Sequence, residues 1–205
     1  MNNPMQDKEY IIESAEKQFF CYGIKSLSMD EIANHLGISK KTLYEVVGNK
    51  ENLVELVIDD FVAQQKAAVN KINLHSKGQV QELIALTEYV FGLSKQVSDS
   101  MTYDLKKYYP KSWQRLFGFY NNFLFDKVKN NFERGAKAGL YHDSINPDFI
   151  AGLFLGTLRM LLRKETFTPA LSSDYPYLKL LLTGMASKKG LQAFRKHLDI
   201  KAPSN

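Results

Sequence analysis

The side chains with the clearest chemistry lie together near residue 40. Lys40, Lys41 and Thr42 follow Ser39, and Tyr44 follows Leu43. Two ammonium groups and two hydroxyls at the start of a short helix are donors suited to phosphate oxygens and base edges, while Leu43 alone points back to a core. Ser39 can cap that helix. Before it stands Gly37, which takes a left-handed conformation at little cost and so turns the chain sharply. Before the glycine, Ser28 and Glu31 have the spacing of a capping box, opening a helix in which Ile32, Ala33 and Leu36 share one face. A capped helix, a glycine turn and a second short helix opened by basic residues is helix-turn-helix grammar, with the second helix as the reader. The same features could make an ordinary helical hairpin, and the flanks decide between the two.

Upstream, Ile12, Ala15 and Phe19 form one stripe of an amphipathic helix that ends at Gly23. Downstream, Gly48-Asn49 makes a turn, and Asn49 caps a long helix beginning Lys50-Glu51-Asn52-Leu53. Over about residues 8–60 this order resembles the tetracycline-repressor (TetR) family of bacterial transcription regulators. Four features carry the resemblance. Ala15, Phe19-Phe20 and Tyr22-Gly23 match the first helix, and Ser28-Met29-Asp30-Glu31-Ile32-Ala33 matches the second. Gly37-Ile38-Ser39 with Thr42-Leu43-Tyr44 matches the turn and recognition helix, and Lys50-Glu51-Asn52-Leu53 matches the opening of the fourth. One departure stands at Val46-Val47, where the family usually carries an aromatic or histidine and then a phenylalanine. Valine is a smaller core plug, and Val46 gives up a phosphate contact.

The resemblance implies an all-α fold. An N-terminal three-helix DNA-binding domain (residues 1–50) would precede a larger helical ligand-binding and dimerisation domain (51–205). It implies phosphate contacts from Ser28, Lys41, Tyr44 and Lys50, and base or groove contacts from Lys40 and Thr42. A helix N-terminus such as that at Ser28 already favours an anion. The expected partners are a double-stranded DNA operator, a second copy of the chain and a small hydrophobic effector, with no membrane and no cofactor.

Net charge does not locate the DNA site. The chain carries 27 basic and 22 acidic residues, net +5. Residues 1–50 hold six lysines against seven carboxylates, leaving twenty-one basic residues against fifteen acidic in the rest. What helps is local order, because Lys25, Lys40, Lys41 and Lys50 gather around the proposed surface. The basic C-terminal run, Lys188, Lys189, Arg195, Lys196 and Lys201, reads as a solvated helix face.

At 205 residues and 44% hydrophobic content the chain can bury a substantial core. No basic-then-apolar leader opens it, so a cytoplasmic protein is expected. The longest apolar stretch, 149–162, falls short of the ~20 residues of a membrane span. The single cysteine, Cys21, excludes an internal disulfide and is expected to be a small core residue. Four scattered histidines and isolated glycines provide no metal set, phosphate loop or catalytic constellation, so no enzyme is expected.

Beyond residue 50 the periodicity is helical. Leu53, Val57 and Phe61 form an inward stripe on a helix of about 50–73, and Leu83, Leu86, Val90 and Leu93 another on 79–97. Then nine of the chain's 25 aromatics fall between 103 and 125. Pro110 suits the first turn of a helix running to about 137, on which Trp113, Phe117, Tyr120, Leu124 and Val128 form a stripe. Core packing accounts for any one of these rings. Together, tyrosines and a tryptophan bring polar tips to an apolar wall, and the resemblance implies a ligand domain here. Tyr103, Trp113, Phe117 and Tyr120 are the candidate lining for a lipophilic or flat ligand, between this block and the fourth helix.

The last third reads as an assembly surface. A helix over about 147–164 is apolar almost all round, with Phe149, Leu153, Leu158 and Leu162, and a second over 175–187 carries Leu178 and Leu181. Paired across a two-fold axis, two such helices per chain make a four-helix bundle, the way the resembled family dimerises.

Overall fold

The computed structural model describes residues 4–94, 98–162 and 176–198. Its helices are α1 (Pro4–Tyr22), α2 (Met29–Leu36), α3 (Lys40–Val47), α4 (Lys50–His75), α5 (Gln79–Ser94), α6 (Asp99–Tyr108), α7 (Pro110–Gly118), α8 (Phe125–Lys137), α9 (Pro147–Leu162), α10 (Pro176–Met185) and α11 (Lys188–Leu198). The fold is all-α, and the one β-type pairing among the described residues is a bridge between Tyr141 and Ala186. No helix among them is long and apolar enough to cross a membrane.

Two compact units divide the chain. The first joins residues 1–68 with 93–119, and the second joins 69–92 with 120–205. A boundary between residues 50 and 51 therefore falls inside a compact unit: α6 and α7 return to the N-terminal helices. The reason is visible in two sets of contacts, one at the buried Asp104 and one at the exposed Arg115. The Asp104 carboxylate of α6 accepts from the backbone N–H groups that follow α1, and Arg115 of α7 pairs with Glu55 and Asp59 of α4.

In the first unit, α1 buries Ile11, Ala15, Phe19 and Phe20, with Phe20 edge-to-face on Phe61 of α4 at 4.9 Å. Ile11, rather than Ile12, completes that stripe. Cys21 is exposed, not a core residue, because Phe19 and Phe20 occupy the inward arc and the next residue turns outward. The expected stripe of α4, Leu53, Val57 and Phe61, is buried.

The aromatic block departs from a uniform helix. Between α7 and α8, Phe119–Leu124 forms a π-helical turn. Up to its first residue the buried positions are Ser112, Leu116 and Phe119, and from its last they are Leu124, Val128 and Phe132. The step of five from Phe119 to Leu124 is the extra residue of the π turn, which re-aims the inward face. The stripe expected through Phe117 assumed an unbroken 3.6-residue period, so Phe117 falls outside and is exposed.

The second unit is held by α8 against α9 and by Tyr141, stacked 5.2 Å from Phe132 and 6.4 Å from Phe194. Gly135 is required beneath it, since a Cβ there would come within 2.2 Å of the Tyr141 ring. Glu82 is buried but satisfied, accepting from the side chains of Asn73, Asn131 and Arg134. Burial pushes the Tyr141 hydroxyl pKa up, and that hydroxyl donates to Asn131 at 3.2 Å.

Candidate nucleic-acid interface

Local chemistry builds the head as the sequence requires. The Ser28 hydroxyl accepts from the Glu31 N–H, and the Glu31 carboxylate accepts from the Ser28 N–H at 2.6 Å, a complete capping box. That bonding holds the Glu31 carboxyl below the usual carboxylate range. Gly37 sits at φ 67°, and the Gly37 and Ile38 N–H groups return to the carbonyls of Asn34 and Ala33, ending α2 and aiming α3. The Ser39 hydroxyl accepts from the Thr42 N–H at 3.0 Å and lies 2.7 Å from the Thr42 hydroxyl.

On α3 only Leu43 and Val47 are buried, while Lys40, Lys41, Thr42 and Tyr44 are exposed along one side of the helix opening. Val47 thus fills the core position where the resembled family carries phenylalanine. Val46 beside it is half-buried.

The basic side chains are not idle. Lys40 reaches both oxygens of Asp30 on α2, at 2.7 and 3.0 Å, and this bond raises its pKa above the ordinary lysine value. Lys41 stands 3.8 Å from Glu45. The Lys50 ammonium donates to the Leu27 carbonyl, so it clamps the turn that leads into Ser28. Burial lowers the Lys50 pKa, against the opposing pull of Asp104 and Glu31. Lys50 is therefore part of the wall behind Ser28 as well as a candidate phosphate donor.

Asp104 and Asp30 were not among the candidate residues. Asp104 is 5% exposed, and a single carboxylate oxygen accepts from the Ile24 N–H at 2.9 Å and the Lys25 N–H at 2.7 Å. Its spacing from Met101 and Leu105 marks it as a carboxylate on the buried face of α6, a signal present in the sequence. What it binds lies 80 residues away. Beside it, Gly23 at φ 82° leaves room for Ser100, whose hydroxyl a Cβ would meet at 2.3 Å.

The candidate ligand residues are distributed over both units. Tyr103 is 56% exposed and its hydroxyl accepts from Lys107, while Phe117 is 47% exposed. Trp113 is half-buried with the Lys106 ammonium 4.7 Å from its ring centroid. Tyr120 belongs to the second unit and burial raises its hydroxyl pKa to about 12.

Of the candidate dimer residues, Phe149 is 65% exposed and Leu153 is also exposed, with Leu181 half-buried. The side chains of Leu158, Leu162 and Leu178 lie outside the described residues. Lys188, Lys189, Arg195 and Lys196 are exposed on α11, and Lys201 lies outside the described residues.

Residues 11–57 match the family model described as bacterial regulatory proteins of the tetR family. Over those residues the chain carries the N-terminal segment of the TetR family. A relative, an uncharacterized HTH-type transcriptional regulator of Bacillus subtilis, is 26% identical over 68% of this chain and 73% of its own. Among solved structures, a TetR transcriptional regulator from Chloroflexus aurantiacus superposes with a TM-score of 0.74 at 17% identity, over 91% of this chain and 98% of that one. A ketosteroid transcriptional regulator of Mycobacterium tuberculosis gives a TM-score of 0.63 at 17% identity, over 92% and 97%. The proteins that this chain resembles are transcriptional regulators.

Proposed function

We propose that the chain is a cytoplasmic, homodimeric, sequence-specific repressor that releases its operator when a small lipophilic ligand binds. The observation that carries the DNA reading is α3 itself. Two caps and a left-handed glycine hold its opening turn outward, and Lys40, Lys41, Thr42 and Tyr44 stand exposed while Leu43 and Val47 anchor it. In this assignment α1 to α3 read DNA and the helices from α4 onward carry dimerisation and ligand response. Phosphate contacts from Ser28, Lys41, Tyr44 and Lys50 set register, and Lys40 and Thr42 carry base preference.

The dimer reading is supported by α9 and α10. Phe149, Gly152, Leu153 and Gly156 are exposed at helical spacing on one face of α9, and Leu180 (69% exposed) and Gly184 are exposed on α10. Large apolar side chains beside glycines suit close helix packing better than contact with water. The lipophilic ligand is supported by the aromatic block and by the fold shared with the ketosteroid regulator. A second reading, a regulator answering to no small molecule, is favoured by the exposure of Tyr103 and Phe117.

Selection of binding sites from random duplex DNA tests the assignment. A near-palindromic consensus is expected, with Thr42→Ala relaxing base preference and Tyr44→Phe weakening all sequences alike. Recovery of no consensus, or full binding after replacement of Lys40, Thr42, Tyr44 and Lys50 together, refutes it. Titration of planar lipophilic compounds against Trp113 fluorescence and operator affinity in parallel separates the two regulator readings, because a ligand shifts DNA binding only by its differential affinity for the two states.

A further inference from the structure

In the first unit, the lysines of the recognition helix and those of α6 differ in what they face. Lys40 and Lys41 lie beside carboxylates, Asp30 and Glu45. Lys25, Lys106, Lys107 and Lys111 form no ion pair among the described residues. The neighbours of Lys25, Lys106 and Lys107 are neutral rings and hydroxyls. Lys25 donates to the Tyr108 hydroxyl at 2.9 Å, Lys107 donates to the Tyr103 hydroxyl at 2.8 Å and lies 5.4 Å from the Tyr108 ring centroid, and Lys106 lies over Trp113.

The nearby anions are already committed. Asp104 is turned inward onto the Ile24 and Lys25 amides, and Glu55 and Asp59 are taken by Arg115. Asp99, at the far end of α6, is the remaining exposed carboxylate on that helix. The patch therefore keeps its positive charge. The hydrogen bond from Lys25, with Lys107 beside it, holds the Tyr108 phenol below its ordinary pKa. The patch also continues the proposed DNA surface: Lys25 is three residues before Ser28, and Lys50 clamps the Leu27 carbonyl between them.

We propose that Lys25, Lys106 and Lys107, with Tyr103 and Tyr108, form a second grip on double-stranded DNA. It would take backbone phosphates beyond those reached from Ser28, without reading bases. The aromatic neighbours leave each ammonium extended and charged without a competing carboxylate, which suits a phosphate oxygen entering from solvent. This proposal rests on the DNA reading given above.

The test compares wild type, K106Q/K107Q and K106R/K107R on the selected operator and on a random duplex of equal length, across salt concentrations. Each lysine that neutralises a phosphate contributes about 0.9 to the slope of log K against log salt, so K106Q/K107Q should flatten it by about 1.8 per protomer. Wild type should then lose about tenfold more affinity per protomer than this variant between ~50 and ~200 mM salt. The loss should be equal on both duplexes, and K106R/K107R should keep the wild-type slope. Trp113 fluorescence melts check that the variants remain folded, and Lys107→Gln alone, expected to flatten the slope by about 0.9 per protomer, supplies a milder charge deletion if the double variant does not. Sequence-selective binding by wild type with an unchanged slope in the glutamine variants overturns the second grip alone. Loss of duplex binding by wild type overturns the DNA reading and the grip with it.

Discussion

Replacing Asp104 by alanine removes the acceptor that holds the turn between α1 and α2. One carboxylate oxygen serves two N–H groups, that of Ile24 in a buried setting and that of Lys25 in a partly buried one. A hydrogen bond to a charged group contributes about 1.5–3 kcal/mol, and a buried donor left without a partner costs about 1–3 kcal/mol. Water can reach the Lys25 amide more readily, so its loss is smaller. Removing a buried carboxylate also returns part of its desolvation penalty. The net is a loss of about 2–3 kcal/mol, which at a urea m-value of roughly 2 kcal/mol/M lowers the midpoint by about 1–1.5 M. Trp113 belongs to the same unit and is the chain's only tryptophan, so its fluorescence reports this transition directly. Asp104→Asn keeps one oxygen for both donors and loses only charge, so it should lose about 1 kcal/mol. Amide exchange at Ile24 and Lys25 should accelerate in the order wild type, asparagine, alanine. Operator affinity should fall in the same order, because the turn leads into Ser28. An alanine variant within 0.5 kcal/mol of wild type, or an asparagine variant as damaged as alanine, refutes the role given to this carboxylate.

Three further outcomes are expected. Asp30→Asn frees Lys40 from its exposed partner and removes a negative charge from the DNA-facing side, so operator affinity should rise about fivefold with a steeper salt slope; gel shifts showing equal or weaker binding would contradict this. Phe149→Glu or Leu180→Glu would bury a charge in the proposed dimer face at a cost of several kcal/mol, so light scattering should give the 23.5 kDa monomer, and twice that mass in both variants would move the interface elsewhere. Glu16, half-buried, has its pKa raised above 4.5 by burial and by Asp60 and Glu13, and one of its oxygens has no hydrogen-bond partner among the described residues. The folded state therefore binds its proton more tightly, a stabilisation complete below pH 4.5 and lost as pH rises through the folded value. Glu16→Gln should stabilise the protein at pH 7, by under about 1 kcal/mol given the group's access to water, and should flatten the pH dependence over that window; an unchanged pH profile would count against it.

Much of the reading head was legible in the chain alone, because its determinants are local. The Ser28–Glu31 capping box, the left-handed Gly37 and the Ser39 cap act over three or four residues, and the structure forms each. The inward stripe of α4 was legible for the same reason, since burial follows the 3.6-residue period of an unbroken helix. Where the period breaks, inference from spacing failed. The π turn at Phe119–Leu124 inserts one residue into the count, so Phe117 stands exposed and Phe119 is buried. Cys21 was misplaced because a neighbour's burial says little about a residue 100° further round the helix.

What only the tertiary structure decided are the partnerships across long sequence separation. The sequence shows Asp104 on the buried face of α6, but not that its oxygen caps amides some 80 positions earlier. Lys40 stands at the opening of α3 by its place in the sequence, yet its pairing with Asp30 depends on the crossing of α2 and α3. The compact unit that combines residues 1–68 with 93–119 could not be read from a run of local signals either. Backbone torsions, caps and helical periods are set by neighbours along the chain, so the residues themselves display them. Which charged groups neutralise one another, and which lysines are left facing solvent, is set by helices that meet only after the chain has folded back on itself.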